Sequence, residues 1–157
     1  VKLQTIKKQV EVVFEDGTRM EGSLFLSTRS AHRWGQESVE ELLNGARKYL
    51  PMELNPGELV LLSKKAIVIA FAKKEEGTEP VPANAKRIPA EVILRSGETL
   101  RGEVYNDLPM THLRLSDYLN QSEDFFRIEV GATDYFVSNG FVRLIKPADP
   151  REAGVSS

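Results

Sequence analysis

The side chains best suited to chemistry are two histidines, His32 and His112, which stand at matching places ten residues after Gly22 and Gly102. Brought together about a pseudo-twofold axis, with Asp107 or Glu37 beside them, they would form a metal or acid–base site. A zinc site draws on at least three protein ligands, and a chain with two histidines and no cysteine has few to offer. Loop histidines inherited by both copies of a duplicated ancestor explain the pattern as well, so no metal and no cofactor are expected. No Gly-rich phosphate loop, nucleophile elbow or Ser/His/Asp set is singled out by spacing, and the chain is not expected to be an enzyme. Glu40, Glu41 and Asp117 fall near expected helix N-termini, where carboxylates answer the helix dipole.

A second set of residues could bind rather than react. Arg29-Ser30-Ala31-His32-Arg33 resembles the arginine spacing of PilZ-type cyclic-dinucleotide receptors, in which guanidinium forks grip phosphate. The companion Asp-x-Ser-x-x-Gly motif is missing from the sequence. Lys64, Lys65, Lys73 and Lys74, with Asn139 and Arg143, are the residues a nucleic-acid surface would use. Bulk charge does not favour that use. Lys and Arg total 21 against 23 Asp and Glu, divided 12 and 12 over residues 1–79 and 9 and 11 over 80–157. Polyanion binding rewards clustered cations through counterion release, and these are interspersed. Trp34, beside Arg33, suits either an interface anchor or a packing lid. Val13 and Ile93 are apolar where a solvated strand face would be polar, which makes them candidates for a protein interface.

The elements that must carry these residues come as an internal duplication. Val12-Val13-Phe14-Glu15-Asp16-Gly17 returns 80 residues later as Val92-Ile93-Leu94-Arg95-Ser96-Gly97, and Met20 to Phe25 returns as Leu100 to Tyr105. Val10, Val12 and Phe14 alternate with Glu11, Val13 and Glu15, the period of a strand with one face in a core. Residues 1–9 suit a frayed or helical lead-in. Asp16-Gly17 predicts a hairpin turn. Gly22 and Gly102 sit inside the return strands, where a missing side chain permits a sharp bend.

Removing Gly35 to Ser38 aligns Ala31 to Asn44 with Thr111 to Asn120, and Val39, Leu42, Leu43 and Leu115, Tyr118, Leu119 then mark a short amphipathic helix in each copy. Ser38 with Glu41 is a capping box, and Asn44-Gly45 a stop. Leu50, Met52 and Leu54 match Phe126, Ile128 and Val130 as a third strand, with Pro51 making it an edge at least locally. Two further strands follow in each copy, the last pair in the second copy joined at Asn139-Gly140, a hairpin signal. The expected units are residues 9–73, a polar linker 74–88, residues 89–147 and a disordered tail 148–157. No cysteine, membrane-spanning run or signal pattern appears, as in a cytoplasmic protein.

Each copy thus reads strand, strand, helix, strand, strand, strand. Val12 to Gly22, Val92 to Gly102 and Tyr135 to Ile145 resemble the motifs of Sm-like domains. Arg114 to Asn120 is similar to the helix signature of an uncharacterised bacterial family of such domains. The resemblance implies a mainly β fold of two tandem Sm-like (SH3-like) five-stranded barrels, each with a short helix between strands 2 and 3. It also implies association through barrel edges, as a homo-oligomer or ring. The Asp and Asn that hold a uridine in Sm-like RNA binders have no counterpart here, and Asn139-Gly140 only partly echoes their Arg-Gly pair. A non-catalytic binding or scaffold module for protein partners is therefore the expected function, with RNA binding as the alternative.

Overall fold

The computed structural model describes residues 5–28, 36–55, 57–73, 86–106, 114–121 and 124–154. The first half contains β1 (Thr5–Phe14), β2 (Arg19–Ser27), α1 (Val39–Leu43), β3 (Tyr49–Glu53), β4 (Leu59–Ser63) and β5 (Ile67–Lys73). The second repeats them as β6 (Lys86–Leu94), β7 (Thr99–Asn106), α2 (Leu115–Gln121), β8 (Phe125–Val130), β9 (Thr133–Ser138) and β10 (Val142–Pro147). The fold is mainly β, and no helix among the described residues is long and apolar enough to cross a membrane.

The strands form one antiparallel ten-stranded sheet in the order β10-β6-β7-β8-β9-β5-β1-β2-β3-β4. This corrects the expectation of two closed barrels. Each half is an open five-stranded sheet, and the halves join where β9 of the second pairs with β5 of the first, Ile69 opposite Val137 and Ala70 opposite Phe136. The hairpin expected at Asn139-Gly140 is also corrected. Gly140 is not among the glycines with positive φ. Asn139–Phe141 instead forms a 3-10 turn that sends β10 away from β9 to pair with β6, and Lys64–Ala66 does the same between β4 and β5.

Local chemistry explains the other elements. In the β1–β2 turn Gly17 adopts φ 87° while the Asp16 carboxylate accepts from Thr18 N at 2.9 Å, and Phe14 N donates to Thr18 O across a three-residue loop. Gly22 and Gly102 are places of close approach, since a Cβ there would lie 2.6 Å from Glu53 O and 2.2 Å from Glu129 O. Only glycine lets the backbones of β3 and β8 approach β2 and β7 this closely. Ser38 caps α1 by accepting from Glu41 N, and Asn44 ends it.

β1 begins at Thr5, so part of the expected frayed lead-in is paired strand. The tail is likewise structured at Pro150–Ala153, because α2 lacks a capping serine and Glu152 accepts from Leu115 N at 2.9 Å instead.

Two hydrophobic clusters form the cores, and each borrows from the other half. Phe125 and Phe136 of the second half lie in the first core with Leu42, Leu43, Ala70 and Ala72. Val68 and Ile69 of the first half lie in the second core with Val92, Phe126 and Val137. Burying one such large side chain is worth about 1.5–3 kcal/mol, so the junction is a principal source of stability for both halves.

Candidate functional site

The outer edges of the sheet and a cleft where the halves meet stand out among the described residues once the cores are assigned. The edges are defined by comparison with the junction. Leu61 lies opposite Pro51 on β3 as Phe136 lies opposite Arg127 on β8, and Tyr49 opposite Ser63 as Phe125 opposite Ser138, so these pairs are equivalent positions of the two halves. Phe125 and Phe136 are 3% and 1% exposed, whereas Tyr49, Leu59 and Leu61 are 58%, 66% and 70% exposed. The opposite edge shows the same contrast. Leu144 on β10 is equivalent to Ile69 on β5, as their partners Ile93 and Val13 on β6 and β1 indicate, yet Leu144 is 39% exposed and Ile69 5%.

The junction holds a polar device as well. Asn44, at the end of α1, donates from Nδ2 to Phe125 O at 3.1 Å and accepts at Oδ1 from Phe125 N at 2.8 Å. Those backbone groups point away from β9, because the neighbouring residues form its ladder, Asn139 N donating to Asp124 O. One amide thus satisfies a donor and an acceptor that no strand reaches. Pro51, equivalent to Arg127, has its missing N–H on the corresponding unladdered side of β3, which pairs with β2 only at Met52 and Glu53. It is a local edge within an interior strand.

The cleft, of about 810 Å³, lies where the two 3-10 turns face each other. Arg47, Lys48, Lys65 and Arg95 line it with Tyr49, Ser63 and Asn139, against the carboxylates of Glu15 and Asp124. Lys64 also lines it, but its ammonium is committed, donating to Gly45 O at 2.6 Å and tying the loop after α1 to the turn after β4. Of the residues expected to serve nucleic acid, Lys64, Lys65 and Asn139 are brought together. Lys73 stands at the far end of β5, about 20 Å away at strand rise. Arg143 is exposed on β10, away from the cleft lining.

Val13 does not face solvent; it is half-buried and packs on the second core, so it serves the junction inside the chain. Ile93 is already buried. Trp34, His32, His112, Lys74 and the Arg29–Arg33 segment lie outside the described residues. Among the described residues, no group of three His, Cys, Asp or Glu side chains could hold a metal.

A further polar cluster lies on the second half. The Tyr105 hydroxyl donates to Glu129, the guanidinium of Arg127 lies over the Tyr105 ring, and Arg127 Nε bonds Asp134 at 3.1 Å. Burial, reinforced by the Glu129 carboxylate, pushes the Tyr105 phenol up to about 12. A phenol held protonated in this way fits a fixed hydrogen-bond donor rather than a general base at neutral pH.

Sequence reasoning missed Asn44, Arg47, Lys48, Arg95 and the exposed side chains of β4. The pairing of Asn44 with Asn120 in the aligned copies was a usable signal for the first. No family model, curated protein or solved structure matches the chain.

Proposed function

We propose that each half is Sm-like in its order of elements, as an open sheet rather than a closed barrel, and that the chain is a non-catalytic scaffold module acting through protein–protein contacts of its sheet edges. The repeated order of five strands with a helix after the second, each with a close-approach glycine at Gly22 or Gly102, supports the Sm-like reading. One observation carries the function: Tyr49, Leu59 and Leu61 are exposed on one outer edge while the equivalents of Tyr49 and Leu61 are buried at the junction. An open strand edge with solvent-facing apolar side chains is a template for pairing.

The test compares proteins held by the immobilised chain with those held by Leu61→Lys, both after nuclease treatment. Partners retained by the first and lost by the second support the reading. Identical retention by both refutes it.

The convergence of Arg47, Lys48, Lys65 and Arg95 on one cleft favours a second reading, an anionic polymer bound at the junction. Single-stranded RNA titrated by fluorescence anisotropy would then bind with an affinity that falls steeply with salt, and more weakly to Lys65→Glu. Binding that is absent or indifferent to salt ends that reading.

A further inference from the structure

We infer that the cleft between the halves is a binding site for a compact polyanion, a run of two or three linked phosphates. This goes beyond the edge reading. It shares the cleft with the polymer reading, but puts a small ligand there in place of a chain.

The lining holds five cationic side chains, Arg47, Lys48, Lys64, Lys65 and Arg95, against the carboxylates of Glu15 and Asp124. This local excess of three positive charges sits on a chain whose net charge is −2. Among the described residues none of the five forms a salt bridge, with Glu15, Asp124 or any other carboxylate. Four of them are exposed and keep their charge in water. Lys64 is only 9% exposed. Its bond to Gly45 O uses one of an ammonium's three donors and leaves the charge unanswered. A buried cation with no counter-charge costs free energy, and an anion seated in the cleft removes that cost.

The duplication shows that the fold does not ask for these cations. Lys64–Ala66 and Asn139–Phe141 are the same 3-10 turn in the two halves, and the second forms with no lysine in it. Glu15 and Arg95 occupy one position of the repeat, and each donates its N–H to the turn of its own half, Glu15 to Ala66 O at 3.1 Å and Arg95 to Phe141 O at 2.9 Å. The backbone accepts either sign of side chain there. The positive set therefore exceeds what the scaffold requires. Arg95 comes from the second half and the other four from the first, so a ligand held by all of them spans the β5–β9 junction.

Size and layout select a compact ligand. A volume of about 810 Å³ falls in the range of small-molecule sites, roughly 300–1,000 Å³. A nucleic-acid backbone needs cations along a track, and here the basic area stops at the cleft, with Lys73 at the far end of β5 and Arg143 on β10 outside the lining. Two or three linked phosphates concentrate several negative charges in a small space, which matches the local excess, and their oxygens suit the guanidinium forks of Arg47 and Arg95.

The test is isothermal titration calorimetry of the full chain with sodium tripolyphosphate, with ATP and with single-stranded RNA, alongside thermal unfolding in the presence of each. Tripolyphosphate should bind at one site per chain and raise the melting temperature, because it binds the folded junction and not the unfolded chain. Lys65→Glu and Arg95→Glu, one in each half, should each weaken binding about tenfold or more, whereas Arg143→Glu, outside the cleft, should bind as the wild type does. All three side chains are exposed, and Glu15 shows that the position of Arg95 tolerates a carboxylate; circular dichroism verifies that the variants fold. ATP bound as well assigns the phosphate run to a nucleotide, ATP unbound assigns it to an inorganic chain, and either result upholds the site. Tripolyphosphate that gives neither heat nor a thermal shift overturns the proposal, as does binding that Arg143→Glu weakens as much as Lys65→Glu does. If RNA alone binds, the polymer reading stands without this one; if nothing binds, both fall and the edge reading is untouched.

Discussion

Phe136→Ala and Leu61→Ala remove equivalent side chains, and the structure sets their costs far apart. Phe136 is 1% exposed within the first half's core, so truncation forfeits its transfer free energy and leaves a cavity, about 3–5 kcal/mol together. Leu61 is 70% exposed, and its truncation should stay within about 0.5 kcal/mol. With an m-value of about 2 kcal/mol/M, Phe136→Ala should move the urea midpoint down by about 1.5–2.5 M, and Leu61→Ala should barely move it. The transition should also remain single, because each core contains side chains from the other half and neither can be lost alone. A Phe136→Ala cost below about 1 kcal/mol would refute the cross-packing argument. So would a wild type that unfolds in two steps of which Phe136→Ala moves only one.

Asn44→Ala should cost about 1–3 kcal/mol, since both hydrogen bonds to the Phe125 backbone go; thermal unfolding checks it, and an unchanged midpoint would mean that water replaces the amide. Gly102→Ala should destabilise more than Gly17→Ala: the added Cβ at Gly102 lies 2.2 Å from a strand carbonyl, whereas at Gly17 it meets nothing within 4 Å and costs only the strain of positive φ. Chemical denaturation of the two variants side by side gives the ranking. Of four tyrosines, Tyr105 should ionise near pH 12, detected by tyrosinate absorbance and abolished in Tyr105→Phe. Its folded pKa is raised, so its contribution to stability is complete below about pH 10 and is lost as pH rises through about 12.

The order of elements was legible in the sequence because each depends on a local rule: alternation for strands, Asp16-Gly17 for the first turn, Ser38 with Glu41 for the start of α1. The 80-residue echo made the two halves legible for the same reason. Closure was not. A strand with one face in a core shows the same period whether the sheet curls on itself or continues into a second half, so Val12 and Val92 read alike in either case. Leu61 and Phe136 show how far this goes, since both are large apolar residues at equivalent places in an apolar run, and only the strand lying beside each decides that one is exposed and the other buried. The cleft was illegible for a related reason. Lys65 stood out because it follows Lys64, but Arg47 and Arg95 join it only because the β5–β9 junction sets the 3-10 turns face to face. Asn44 is the intermediate case: its place at a helix end is a local signal with a local explanation, a stop, and that explanation hid the second role. Its recurrence as Asn120 is what a stop does not require, because α2 runs on past Asn120 to Gln121. An asparagine kept where the helix does not end marks a position whose role at Asn44 lies outside the helix, in its two bonds to the Phe125 backbone.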